Sequence, residues 1–228
     1  RAALSWRARA RHLVRLLLPA VLTAVLVMLL AGCGQGGDSS GDEAGADHLV
    51  LRYRMADRPR DLDPQMAVTQ TDRQLAAMLF TGLLGYDAAG KLAPAVAESW
   101  TVSDDGLRYL FRLRPTTWTN GEPVTAQDFA NGIRRILDPD IRHPLAPLFL
   151  AIENSEDVRR RKVAASKLGV RAIDTDILEI DLVRPMPGFL ALLADPAASP
   201  VPLATIRRYK RARTTPQRIV SNGPFRLE

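Results

Sequence analysis

Glu98-Ser99-Trp100-Thr101-Val102-Ser103-Asp104-Asp105-Gly106-Leu107-Arg108-Tyr109-Leu110-Phe111-Arg112-Leu113, followed by Trp118-Thr119-Asn120-Gly121-Glu122-Pro123-Val124-Thr125-Ala126-Gln127-Asp128-Phe129, reads as a hairpin that feeds a capped helix. Asp105-Gly106 is a favoured tight-turn pair between two short runs that alternate apolar and polar residues, so Trp100, Val102, Leu107, Tyr109, Phe111 and Leu113 are placed on an antiparallel ribbon. Asn120-Gly121 makes a second turn. Thr125 then caps a helix, Asp128 favours its positive N-terminal end, and Phe129, Ile133, Ile136 and Leu137 fall at the spacing of one buried face. Asp138-Pro139 ends it. Trp100, Tyr109, Phe111 and Trp118 are most simply core aromatics of an α/β domain.

Upstream, Leu49, Leu51 and Tyr53 alternate with Val50, Arg52 and Arg54, the pattern of a first strand. Leu62-Asp63-Pro64 turns the chain, and Thr71 or Asp72 caps a helix with Leu75, Met78, Leu79 and Leu83 on one face, closed by Gly85 and Asp87-Ala88-Ala89-Gly90. Downstream, the polar run Asn154 to Lys167 reads as helix stopped by Gly169. Ile177 to Leu182 alternates as a strand, and Pro185 and Pro187 break it before a short helix bearing Phe189, Leu190, Leu192 and Leu193. Another helix runs near Ala204 to Arg211, and Phe225 to Glu228 begins an alternating strand. No internal repeat is present.

The amino-terminal stretch bears on compartment. Arg1, Arg7, Arg9, Arg11 and Arg15 precede an apolar run from Leu16 to Ala31 that is short for a membrane span and reads as a secretory signal over residues 1–32. Leu30-Ala31-Gly32-Cys33 looks like a bacterial lipobox, in which the thiol receives the lipid. Cys33 is the single cysteine of the chain, so no disulfide forms within it. Residues 33–47, rich in Gly, Ser and acidic side chains, cannot bury a core and read as a flexible tether. Acylation at Cys33 would hold the protein on the outer face of the membrane.

The net charge of +6 and a pI near 10.0 invite a nucleic-acid partner. Residues 1–32 hold five arginines and no acid, which leaves 26 basic against 25 acidic residues and removes that inference. The clusters Arg159-Arg160-Arg161-Lys162 and Arg207-Arg208-x-Lys210-Arg211-x-Arg213 could grip phosphates or anionic lipid heads. The first holds no aromatic side chain and the second only Tyr209, too little to stack a run of bases, so solvated helix faces fit better. Arginine outnumbers lysine 27 to 4, a bias of GC-rich genomes that, with the lipobox, suggests a Gram-positive source.

In order and spacing, the run from Glu98 to Phe129 resembles the solute-binding proteins of the oligopeptide and dipeptide ABC importers, bacterial extracellular solute-binding protein family 5. The likeness continues from the strand near Arg52 through Leu62-Asp63-Pro64 and Phe80-Thr81-Gly82-Leu83 to Leu168-Gly169-Val170-Arg171-Ala172-Ile173-Asp174, Ser199-Pro200-Val201-Pro202 and Ser221-Asn222-Gly223-Pro224-Phe225. It implies a two-lobed α/β periplasmic-binding-protein fold (type II, cluster C), of which residues 48–83 and 219–228 belong to lobe I and 84–218 form an inserted subdomain, with the distal lobe absent from this chain. It further implies a monomeric receptor, without enzymatic activity or cofactor, that closes on a peptide and delivers it to an ABC permease in the membrane. Carried over by position, Val68, Thr69 and Gln70 line the cleft with ligand-pairing backbone, and Leu145, after His143-Pro144, stands where the oligopeptide receptors have a ligand-facing tyrosine. Groups that neutralise peptide termini lie mainly in the absent lobe, so this chain alone is expected to bind peptides feebly or not at all.

Within the family, nickel complexes, haem, opines, some sugars and signalling peptides are alternative solutes, and fold does not choose among them. A degenerate product with no transport role also fits, and neighbouring permease and ATPase genes would discriminate against it. An extracellular hydrolase finds little support. Gly32-x-Gly34-x-x-Gly37 has dinucleotide spacing but overlaps the lipobox and precedes the tether rather than a helix, and no HExxH or Walker loop is present. His12, His48 and His143 are the only histidines, scarce material for a His-based metal site or triad. The pairs Asp104-Asp105, Asp138-x-Asp140 and Asp174-x-Asp176 abut Gly, Pro or Thr and read as turn and cap residues.

Overall fold

The expected hairpin is the centre of the architecture. β3 (Ala97–Val102) and β4 (Arg108–Leu113) pair antiparallel, with Trp100 opposite Phe111 and Val102 opposite Tyr109. The turn between them closes at Gly106, whose φ is +69°. The computed structural model describes residues 50–55, 57–209, 215 and 218–227; the expected export signal, Cys33 and the expected tether lie outside the described residues. Arg54 to Glu228 is one compact unit, and of the unit before it only 50–53 are described.

Two further strands complete a four-stranded antiparallel sheet in the order β3-β4-β6-β5, where β5 is Val170–Ala172 and β6 is Ile177–Asp181. Alternation decides which face is buried. Tyr109, Phe111 and Leu113 of β4, with Leu178 and Ile180 of β6, point into the core. The opposite face carries Arg108, Arg171, Glu179 and Asp181 as cross-strand ion pairs, Arg108 Nε donating to Asp181 at 2.8 Å and Arg171 to Glu179 at 2.7 Å. Ahead of this sheet lie α1 (Gln70–Leu79) and a small hairpin of β1 (Leu84–Tyr86) with β2 (Leu92–Pro94), where the sequence pattern shows only a closing turn.

The helix α2 (Ala126–Ile136) covers β5 and β6. Its start is fixed by Asp128, whose carboxylate accepts the Thr125 N–H and hydroxyl, each at 2.9 Å. Phe129, Ile133 and Ile136 of α2 and Leu137 after it are fully buried. Phe189, which opens the short helix α4 (Phe189–Leu192), meets Tyr109 at 5.0 Å between ring centroids. Gly132 admits the backbone of the following loop, because a Cβ there would sit 2.5 Å from the Ser199 carbonyl oxygen. Tyr109, Phe111 and Trp118 are buried as expected, whereas Trp100 is half-buried.

Several expectations need correcting. Residues 50–55 form no strand and Val50, Leu51 and Tyr53 are exposed; alternation alone does not make a strand, which needs a neighbour to share the ladder, and no described strand pairs here. The same holds for 225–227. The helix expected to start from Thr71 or Asp72 is capped instead by Thr69. The run from Asn154 to Lys167 is helical only at α3 (Ser155–Arg159) and in one 3-10 turn, Ala165–Lys167, because Asn154 and Arg161 adopt φ of +61° and +55° and break the helix at both ends. The last helix, α5, spans Leu203–Tyr209, and residues 210 and 211 lie outside the described residues.

The chain comes back to the point where it leaves α1. Gly223 N–H donates to Leu79 C=O at 2.8 Å, Thr81 N–H donates to Asn222 Oδ1 at 3.1 Å, and Asn222 Nδ2 donates to Thr81 C=O at 2.9 Å. The contact is so close that a Cβ on Gly223 would lie 2.4 Å from the Leu79 carbonyl carbon. Gly223→Ala must therefore push these backbones away from each other, and a loss of about 1–3 kcal/mol is expected, the scale of overpacking. Urea denaturation measures it, with Gly85→Ala as the neutral control, since a Cβ there makes only an ordinary 3.8 Å contact.

Candidate functional site

The segment Leu62 to Gln70 is tied down from beneath. Asp63 is buried and accepts two hydrogen bonds from the Arg135 guanidinium, Nη1 to Oδ1 at 2.9 Å and Nη2 to Oδ2 at 2.6 Å. Such a planar fork fixes orientation as well as distance. Arg135 also donates to Gln65 Oε1, and Gln65 Nε2 reaches the carbonyls of Gly132, Ala197 and Ser199 at 3.3–3.4 Å. One buried glutamine thus joins this segment to α2 and to the loop that enters Gly132's gap.

Beyond that knot the chain surfaces. Val68 is 52% exposed, and neither its N–H nor its C=O has a partner among the described residues. Thr69 follows in an extended conformation, φ −81° and ψ 160°, and caps α1: its hydroxyl accepts the Asp72 N–H at 3.1 Å while Asp72 accepts the Thr69 N–H at 3.3 Å and the Arg60 N–H at 2.8 Å. Burial alone would raise the Asp72 pKa, but the hydrogen bonds from Thr69 and Arg60 outweigh it and hold the carboxyl below its ordinary range. Gln70 is exposed at the first position of α1. The three expected cleft residues therefore form one continuous surface strip whose rigidity comes from both ends.

Leu145 is not brought to that strip by any described contact. It is half-buried and packs on the hydrophobic core, and its N–H donates to His143 Nδ1 at 3.1 Å. Its place is the residue before a 3-10 helix, Ala146–Ala151, anchored by buried Phe149. None of the four expected residues lines the apolar recess between Leu62, Phe80, Val201 and Ile219. What sequence reasoning misses is the support beneath the strip: Asp63, Gln65 and Arg135 are 70 or more positions apart at their longest links, a pairing that no local period reveals.

The remaining candidates give no reactive constellation. Among the described residues, no group of three or more His, Cys, Asp or Glu could hold a metal ion. Asp105 accepts from Ser103 and Leu107 within the hairpin turn and Asp138 from the Asp140 N–H, the turn roles expected of them. The first basic cluster is largely paired, with Arg160 on Glu156, Arg161 on Asp140 and Lys162 on Asp157. No helix among the described residues is long and apolar enough to cross a membrane.

Comparison with known proteins gives consistent matches. The sequence profile of the middle region of bacterial extracellular solute-binding proteins, family 5, matches residues 91–228. The probable deoxycholate-binding periplasmic protein YgiS of Escherichia coli K12 is 38% identical over 80% of this chain and 35% of its own length. The periplasmic oligopeptide-binding protein OppA of the same strain is 38% identical over 74% of the chain and 32% of its own. Among solved structures, the Escherichia coli murein tripeptide binding protein MppA superposes with a TM-score of 0.69 at 35% identity, covering 74% of this chain and 33% of that one. The chain thus spans about a third of the length of the relatives it matches.

Proposed function

This chain belongs to the bacterial extracellular solute-binding proteins of family 5, with the mixed helix and sheet fold of part of a periplasmic binding protein, and on that premise we propose that it supplies one wall of a receptor that captures extracellular peptides for an ABC importer. The observation that carries the reading is Val68, an exposed residue whose main-chain donor and acceptor have no partners among the described residues, on a strip held by Asp63, Arg135 and the Thr69 cap. A receptor for many peptide sequences must hold what all peptides share, the main-chain N–H and C=O groups, and an extended ligand pairs with such a strip as an added strand. Side chains then face roomy, hydrated spaces where water completes their hydrogen bonds.

On this reading residues 84–218 are a subdomain inserted into the lobe to which 48–83 and 219–228 belong, and the bonds of Asn222 and Gly223 to Leu79 and Thr81 support the junction. A second lobe supplies the opposing wall and closes about a hinge, and a membrane permease receives the closed form. The receptor works as a monomer outside the cytoplasmic membrane, anchored through lipid on Cys33, and Leu145 forms part of the solute wall. It is not an enzyme and needs no cofactor. Gly37-Asp38-Ser39-Ser40-Gly41 has the spacing of a nucleophile elbow, but its neighbours in sequence are Gly, Ser and acidic residues rather than the apolar runs from which the strand and helix of such an elbow are built.

Mass spectrometry of solutes that co-purify with the full-length receptor carrying this chain tests the proposal. Peptides of mixed sequence are expected. A single amphipathic non-peptide would favour the second reading, suggested by the YgiS relative's name and by apolar Leu145 in the loop after α2.

A further inference from the structure

His143 is 5% exposed, and its two ring nitrogens stand in different situations. Nδ1 accepts the Leu145 N–H at 3.1 Å, the same two-residue closure that an Asn side chain makes in an Asx turn. A nitrogen that accepts carries no proton, so the neutral ring has its hydrogen on Nε2, which is buried without a partner among the described residues. The charged groups that face the ring are Asp195, Arg73 and Asp63, from the turn after α4, from α1 and from the segment before it. Both carboxylates are already engaged, Asp63 by Arg135 at 2.6 Å and Asp195 by Arg73 at 2.6 Å. A protonated ring would be a buried cation without a free counter-charge, and its new Nδ1–H would face the Leu145 N–H donor to donor. Burial, aided by Arg73 and opposed by Asp195 and Asp63, accordingly holds the His143 pKa below its ordinary value.

We propose that His143 is a positioning residue that pins the Leu145 backbone while neutral and releases the stretch from His143 to Ala151 when protonated, making that wall of the receptor an acid-sensitive latch. The stretch moves together because the His143 C=O accepts the Ala146 N–H at 3.1 Å and the Leu145 C=O accepts the Leu148 N–H at 2.9 Å. Placing Leu145 on the solute wall rests on the function proposed above; the latch rests on the geometry alone. Captured solute would be held at neutral pH and released more readily in acid.

The direction follows from linkage. The open state takes up the proton that the closed state refuses, so closure is fully stable above the ordinary histidine pKa of about 6.5 and weakens as pH falls below it. The opening constant therefore rises from pH 7.5 to 5.5, by at most about tenfold, the limit set by an open-state pKa near 6.5 and a closed ring that takes up no proton. Hydrogen exchange of residues 143–151 in the full chain, corrected for intrinsic exchange, reads this constant. The expected result is a rise of between twofold and tenfold for the wild type and less than a twofold rise for His143→Asn, which keeps the acceptor but does not titrate. A flat wild-type profile, or a parallel rise in both proteins, would overturn the latch. Nitrogen-15 NMR of the wild-type ring gives an independent reading: an Nε2–H tautomer titrating below pH 6.5 supports it, and a midpoint at or above 6.5 sinks it. Neither measurement involves a solute, so failure of peptide capture with an intact latch would reject only the proposed function.

Discussion

Replacing Arg135 with Met is expected to lower stability by about 3–5 kcal/mol, the cost of leaving a buried charge without its partner. The Asp63 side chain is only 2% exposed and the Arg135 side chain 14%, so solvent cannot take over the guanidinium's role. The carboxylate would lose both bonds of the guanidinium fork while keeping the Gln65 N–H at 3.1 Å. Removing the charge as well should help: Asp63→Asn with Arg135→Met, which preserves an acceptor for Gln65, is expected to recover more than half of the loss, and a double-mutant cycle in urea measures the coupling. The single variant should also loosen residues 62–70, because Gln65 and Asp63 lose their common anchor. Faster exchange of that segment would report it.

Phe129→Ala is expected to cost a similar amount, about 3–5 kcal/mol, by a different route. Phe129 is fully buried on the same helix as Arg135, within the hydrophobic core beneath the sheet, and its loss leaves a cavity there. The contrast separates core from site. Phe129→Ala should lower the urea midpoint while exchange at 62–70 stays as in the wild type under native conditions, whereas Arg135→Met changes both.

The difference between these two variants marks what is legible in the sequence. Phe129, Ile133 and Ile136 declare themselves through a 3.6-residue period, and Asp105-Gly106 through turn chemistry, so the hairpin and α2 emerge from local rules alone. Val68 to Gln70 become candidates only through the family resemblance, since a strip proposed to act through its backbone leaves no side-chain signature. The supporting knot of Asp63, Gln65 and Arg135 is invisible there because its links run over about 70 residues and more. Alternation without a partner strand, at 50–55 and 225–227, misleads, since pairing is a property of two segments. The Asn154 to Lys167 run misleads for another reason: polarity and propensity favour helix there, yet left-handed residues at Asn154 and Arg161 divide it.

Peptide capture, as proposed, depends most heavily on Val68 offering its main chain to an extended ligand. Hydrogen exchange at the Val68 amide, measured in the full-length receptor with and without saturating tri-alanine, tests this directly. Slowing of at least tenfold at Val68 on peptide binding is the expected result, with little change at the buried amide of Phe111. Peptide bound with Val68 exchanging as fast as before would place the ligand elsewhere and contradict the proposed mode of capture.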